Sequence, residues 1–264
     1  MSALQATATP YVNVVRTGPR GRAPVVLVHP VGLDLTYWGA QIDALCDDHD
    51  VVAFDLPGHG SSPGSPADWT LDQAEEVLAQ VVRSTSSDGA HLVGLSVGGM
   101  ISQALTLAQP GLVRSLTLID TAAAFAEEGR AGMRARAKMA REGGMRAVLP
   151  STLQRWFTPE TVARRPDLID RVTKTLLADD PLVHAAMWDM ISALDLVAQL
   201  QCVSCPTLIL VGEHDPSSPP EAARVLQENI AGARMHVIPD ASHMAPLEKP
   251  DAINGYLRDF LRGQ

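Results

Sequence analysis

Five residues, Gly94-Leu95-Ser96-Val97-Gly98, constrain this chain more than anything else in it. They fit the pattern G-x-S-x-G. Before them an apolar run at 91–93 reads as a buried strand, and after them the stretch 97–108 reads as a helix. A strand that turns abruptly into a helix crowds its own backbone, so small residues must flank the turn. The serine is left strained at the tip, its hydroxyl exposed and a helix N-terminus beneath it. The five-residue pattern alone recurs by chance; strand, elbow and helix together point to Ser96 as a nucleophile.

A serine nucleophile needs a base, and the base needs an orienting acid. On a sheet of this kind the acid follows the nucleophile and the histidine comes last. The apolar run 205–211 reads as a buried strand, followed by Gly212-Glu213-His214-Asp215. Asp215, in the loop beyond the run, is the expected acid. The strand-like segment 233–238 is followed by Asp240-Ala241-Ser242-His243, which makes His243 the expected base. Asp120 competes for the acid's place because it ends the apolar run 115–119; Glu213 is a weaker rival. His214 reads as a solvent-facing loop residue and Asp240 as a turn residue.

Acyl transfer also needs donors for the developing oxyanion. The backbone N–H of Val97, just after the nucleophile, is one. The other is expected from the loop 29–34, which follows the strand-like run 24–28. Pro30 has no N–H to give, so Val31 is the better donor, with Gly32 letting the chain turn back toward substrate. His29 is expected to brace this loop. Asp34 either faces the pocket or caps the helix that follows.

Short apolar runs at 11–15, 24–28, 51–54, 91–94, 115–119, 207–211 and 235–238 alternate with helical stretches such as 71–84, whose apolar face is Ala74, Val77, Leu78 and Val81. Such alternation predicts an α/β fold, a mostly parallel sheet covered on both faces, with ligands beyond the C-terminal strand ends. The residues singled out above all fall at those ends. The alternation breaks between 123 and 200, where helices are expected over 127–141, 166–178 and 181–194. Residues 60–68 read as a surface loop.

These motifs resemble the α/β-hydrolase family. Phe54-Asp55-Leu56-Pro57-Gly58-His59-Gly60-Ser61-Ser62 is similar to its D-x-x-G-x-G-x-S turn, and residues 113–120, 206–215 and 237–243 resemble its post-elbow, acid and histidine strands. Within that family the chain looks most similar to small lactonases and esterases typified by 3-oxoadipate enol-lactonase. The segments that carry this are 94–100, 118–123 and Gln154-Arg155-Trp156-Phe157. The oxyanion loop departs from many relatives in having His29-Pro30 for His-Gly. The resemblance implies an α/β-hydrolase core over 1–122 and 201–264, and a helical cap over 123–200 roofing the site. Phe125, Trp156, Phe157, Met187 and Trp188 would line its pocket or pack the cap onto the core. Arg155 is the candidate partner for a substrate carboxylate, while Arg130, Arg134, Arg136, Lys138 and Arg141 read as a solvated helix face.

Composition narrows the function further. A net charge of −9, with no basic stripe, argues against a nucleic-acid partner. No segment has the length of a membrane span, and residues 1–7 lack a signal-peptide pattern, so no membrane and a cytoplasmic location are expected. Three cysteines make no disulfide framework; Cys202-Val203-Ser204-Cys205 precedes a core strand and is expected to be reduced and structural. No metal-ligand spacing accompanies it, and no cofactor or metal is expected. Nothing in the pattern excludes a homo-oligomer. The expected function is hydrolysis of small carboxylic esters or lactones through an acyl-enzyme. The alternatives on the same triad are carbon–carbon bond hydrolysis of ring-cleavage products and cofactor-free perhydrolysis. A small-molecule receptor on the same fold is the non-enzymatic one.

Overall fold

Val25–Val28 reads Val-Val-Leu-Val and exposes nothing on either face. Branched side chains suit a pleated surface, and a run buried on both sides is what a central parallel strand requires. The computed structural model describes residues 12–64 and 69–264. Tyr11, the amino-terminal stretch and the far end of the 60–68 loop lie outside them. In chain order the elements are β1 (Val14–Thr17), β2 (Val25–Val28), α1 (Gly39–Leu45), β3 (Val51–Phe54), α2 (Leu71–Thr85), β4 (Ala90–Leu95), α3 (Val97–Ala108) and β5 (Val113–Ile119). Then follow the helices α4 (Glu127–Trp156), α5 (Pro159–Arg164), α6 (Pro166–Ala178) and α7 (Pro181–Ser192). The chain ends with β6 (Thr207–Gly212), α8 (Pro220–Asn229), β7 (Arg234–Ile238), α9 (Ala245–Glu248) and α10 (Pro250–Leu261).

Among the described residues the seven strands form one sheet in the order β1-β3-β2-β4-β5-β6-β7. β1 is antiparallel to β3 and every other pairing is parallel. From β2 the chain steps outward to β3, then crosses back to add β4 on the other side. That reversal places a crevice beyond the paired ends Val28 and Gly94, where ligands bind on open α/β sheets. Helix starts follow local chemistry. Thr70 Oγ1 accepts from the Gln73 N–H at 3.2 Å and Gln73 Oε1 from the Thr70 N–H at 3.0 Å, a reciprocal cap that opens α2.

Close packing at the crevice depends on Gly98. A Cβ there would lie 2.1 Å from the carbonyl oxygen of Val28, which as backbone cannot move aside. Gly98→Ala is expected to lower unfolding stability by about 3 kcal/mol in urea titration. A loss below about 0.5 kcal/mol would show that α3 can withdraw from β2.

Four helices separate β5 from β6. The helix expected to stop at 141 is instead interrupted at Gly144, where φ is 66° and ψ −173°, and then resumes to Trp156. The glycine pair 143–144 signals the break, but nothing local signals the restart, and Pro150 removes one N–H from the second half without ending it. The short α5 is likewise absent from the sequence expectation. The insert closes at its base: Leu196 N–H donates to Ala123 O at 2.8 Å, and Arg130 donates to the carbonyls of Phe125, Ser192 and Leu194 at 2.8–2.9 Å. It is tied to the core elsewhere by the Tyr37–Thr175 hydroxyl pair at 2.8 Å and by Arg171 over the Tyr37 ring. No helix among the described residues is long and apolar enough to cross a membrane.

Candidate active site

The elbow holds Ser96 at φ 55°, ψ −119°, a conformation that non-glycine residues adopt at a cost of about 1–3 kcal/mol. Its neighbours impose it. The Ser96 N–H donates to Ile119 O at 2.9 Å, tying it to the end of β5. The Ser96 carbonyl accepts from the Gly99 N–H at 2.9 Å and the Thr121 hydroxyl at 2.7 Å. The side chain is thereby turned out of the strand, above the N-terminus of α3, and only 6% of the residue is exposed.

There Ser96 Oγ lies 3.0 Å from His243 Nε2, and His243 Nδ1 lies 2.8 Å from Asp215 Oδ2. Both partners are buried. The other oxygen, Asp215 Oδ1, accepts from the backbone N–H groups of Ser217 at 2.7 Å and Ser218 at 3.1 Å. Those donors leave Oδ2 aimed at the imidazole. With Nδ1–H directed at the carboxylate, Nε2 is free to accept the serine proton, the tautomer a general base needs. The three side chains come from three strand ends, after β4, β6 and β7.

Asp120, the rival acid, is turned elsewhere. Its Oδ1 accepts from the Gly212 N–H at 2.7 Å and its Oδ2 from the Ala245 N–H at 3.0 Å. It therefore clasps the end of β6 to the turn that follows His243. Burial, reinforced by the nearby Asp215 charge, holds its carboxyl well above the usual carboxylate range. Glu213 is exposed and accepts from the Asp240 N–H at 3.2 Å. Glu213, His214 and Asp240 bring potential ligand atoms within 4.8 Å of one another, but all three are exposed surface residues.

The loop after β2 turns at Gly32, where φ is +76° and a Cβ would meet Leu176 Cδ2 at 2.7 Å. Val31 and Val97 are both buried. Among the described residues neither of their backbone N–H groups donates to another loop group. His29 braces the loop as expected: its Nδ1 lies 2.7 Å from Pro30 O, and its Nε2 accepts from the Leu56 N–H at 2.8 Å. Asp34 caps the turn 35–38 by accepting from the Thr36 N–H at 2.9 Å.

Burial, together with the neighbouring His59, pushes the His29 imidazole down to about 3. An unfolded imidazole titrates near 6.5, so between these values the unfolded chain binds more protons and stability falls as pH drops. Wild-type protein is expected to lose about 1.4 kcal/mol more per pH unit than His29→Gln between pH 6 and 4, read from urea unfolding. Equal slopes would contradict a neutral, buried His29.

Of the remaining expected site residues, Trp156, Phe157, Met187 and Trp188 are buried in the insert and Phe125 is half-buried beside Gly129. Phe157 also borders a surface groove of about 280 Å³ with Thr158, His214 and Pro216. Arg155 is half-buried, and its backbone carbonyl accepts from the Ser242 hydroxyl at 3.0 Å. Arg130 and Arg136 depart from the solvated face expected of their helix: Arg130 is half-buried on its three carbonyls, and the Arg136 guanidinium stacks on Trp188, 5.0 Å from the ring centroid. Sequence spacing gave no sign of a second buried polar group, in which His184 Nδ1 meets Asp179 Oδ2 at 3.0 Å and Trp188 Nε1 donates to His184 Nε2 at 3.0 Å. Cys46, Cys202 and Cys205 are free thiols.

Residues 25–255 match the alpha/beta hydrolase family. The chain is 29% identical over 252 residues to 3-oxoadipate enol-lactonase 1 of Acinetobacter baylyi, covering 95% of this chain and 93% of the relative. Among solved structures it superposes on the enol-lactonase from Burkholderia xenovorans LB400 with TM-score 0.89 and 31% identity, covering 95% of this chain and 96% of that one. A thermophilic esterase from Thermogutta terrifontis, solved with malate bound, gives TM-score 0.88 and 32% identity over 96% of this chain and 93% of the esterase. The sheet order, the elbow and the extent of the match agree, and the chain belongs to the alpha/beta hydrolase family.

Proposed function

We propose that the protein is a serine hydrolase of small carboxylic esters or lactones, working through an acyl-enzyme on Ser96. The observation that carries this is the relay Ser96 Oγ–His243 Nε2–Asp215 Oδ2, at 3.0 and 2.8 Å. Ser96 attacks the carbonyl carbon while His243 takes its proton. Asp215 keeps the imidazole in the required tautomer and stabilises the imidazolium. The oxyanion is held by the N–H groups of Val97 and Val31. His243 then returns the proton to the leaving alkoxide. In an ester the alcohol departs; in a lactone it stays tethered to the acyl group. Water, deprotonated by His243, attacks the acyl-enzyme, and collapse of the second tetrahedral intermediate returns the proton to Ser96.

The enol-lactonase and esterase relatives support this substrate class. The insert, residues 123–200, acts as a cap, which is consistent with its hydrogen bonds to both neighbours of His243: Ser242 to Arg155 O and Met244 to Trp156 O. Steady-state hydrolysis of short p-nitrophenyl esters, beside a panel of five- and six-membered lactones, tests the reading. Saturable turnover that vanishes with Ser96→Ala supports it. Tight binding of such compounds without turnover would assign the fold a receptor's role instead.

A further inference from the structure

The edge of the sheet away from Ser96 gathers cations that lie far apart in the chain. Beside the starts of β2, β4 and β5 runs a groove of about 1010 Å³, at the upper end of the size range of small-molecule pockets. Arg20, Arg22, Arg114, Arg258 and Arg262 all line it. Among the described residues, Asp47 and Asp48 are the only carboxylate side chains in the same wall, and neither pairs with an arginine. Five cations against two anions make this a positive concavity on a chain whose net charge is −9.

Contacts within the protein account for only part of that charge. Arg20 pairs with Asp50, and Arg262 lies 3.5 Å from Asp259. Arg114 donates from Nε to Asp88 O at 2.6 Å, and Arg258 donates from Nε to Ala44 O at 2.9 Å. Those carbonyls belong to the loop before β4 and to the last turn of α1. Each guanidinium is therefore anchored at Nε, and among the described residues its two Nη groups have no protein acceptor and no carboxylate in ion-pair range. Arg22, on the loop before β2, is exposed and makes no side-chain hydrogen bond or ion pair with a described residue. Two half-buried imidazoles, His49 and His91, share the wall. Burial pushes His91 down to about 4, with His49 and Arg114 acting in the same sense. Burial also lowers His49, with Asp48 opposing the drop and Arg22 adding to it. The arginines are thus near enough to these rings to disfavour any further cation there.

We propose that this groove binds a chain of linked phosphates, either a free oligophosphate or the phosphate tail of a nucleotide. Three separate segments supply Arg22, Arg114 and Arg258, so a lone carboxylate or sulfate meets one fork and leaves the others uncompensated. Linked phosphates carry several charges and spread their acceptor oxygens along their length, and guanidinium forks match such oxygens in pairs. No Phe, Tyr or Trp lines the groove, so its wall offers nothing on which a base could stack. The whole of β4, Ala90–Leu95, separates His91 from Ser96, roughly 20 Å of strand. The site therefore stands apart from the hydrolase reading.

The test is calorimetric titration of the whole chain with sodium tripolyphosphate, ATP, adenosine and citrate, at low salt and matched ionic strength. Tripolyphosphate and ATP are expected to bind one per chain with Kd on the order of 10–100 μM, and adenosine and citrate at least about tenfold more weakly. Equal affinity for tripolyphosphate and ATP assigns the groove to phosphates alone, whereas tighter ATP assigns it to a nucleotide's tail. Arg114→Gln and Arg258→Gln each weaken tripolyphosphate by about tenfold or more, the effect of losing charge-assisted hydrogen bonds. Arg22→Gln, which has no bond within the described protein to lose, weakens it similarly at unchanged Tm. Ser96→Ala binds as wild type does, whether or not any ester turns over. Citrate binding as tightly as tripolyphosphate overturns the site, because the wall then selects charge and not linked phosphates. So does an affinity that Arg22→Gln and Arg258→Gln both leave unchanged, or a heat no larger than that of sodium chloride at the same ionic strength.

Discussion

Ser96→Ala is expected to lower kcat for the best ester by roughly five to six orders of magnitude, with KM little changed. Removing the Oγ leaves His243 with no proton to take and leaves the acyl group with nothing to bond to. Residual turnover then comes only from the oxyanion donors and from bound water, typically a thousandfold or more above the uncatalysed rate. A companion variant separates chemistry from conformation. Ser96 is held at φ 55°, and glycine adopts this region without strain. Ser96→Gly is expected to be equally inactive yet more stable by about 1 kcal/mol. Equal stability of Ser96→Ala and Ser96→Gly would mean that the elbow stores no strain.

The second large effect separates the two aspartates. Asp215→Asn is expected to cut kcat by about four orders of magnitude, because an amide facing Nδ1 favours the wrong tautomer and cannot balance the imidazolium. Stability changes little, since the Ser217 and Ser218 N–H groups keep an oxygen acceptor. Asp120→Asn should do the reverse. One oxygen becomes an NH2 aimed at a backbone N–H, that of Gly212 or Ala245. A buried donor left without an acceptor costs about 1–3 kcal/mol. Its kcat falls far less than that of Asp215→Asn, because His243 still has its acid. If Asp120→Asn instead matched Asp215→Asn in lost turnover at unchanged stability, the acid would have been assigned to the wrong strand.

The sheet and the line from Ser96 through Asp215 to His243 are legible in the sequence because each rests on a local rule. A doubly buried strand such as Val25–Val28 must be a short run of branched apolar residues, and an elbow must have glycine where Gly98 meets the Val28 carbonyl. The choice of Asp215 over Asp120 was not local. Both end apolar strands, and what separates them is which backbone N–H groups each carboxylate meets, a matter of how β5, β6 and the histidine loop pack. The insert was least legible. Its helices declare themselves by periodicity, but nothing local signals the restart after Gly144 of a helix that packs along α7. Arg130 and Arg136 show the same limit: the five basic residues of 130–141 look alike in sequence, and groups more than fifty positions on, the Ser192 and Leu194 carbonyls for Arg130 and Trp188 for Arg136, set these two apart.

The most direct test of the central claim is to trap the acyl-enzyme. A slowly deacylating p-nitrophenyl ester is mixed with the protein, quenched in acid at the end of the chromophore burst, and mapped by peptide mass spectrometry. One acyl group per chain, carried by Ser96 and absent from Ser96→Ala, is the expected result. Turnover without any adduct, or an adduct on another residue, would contradict a nucleophilic Ser96.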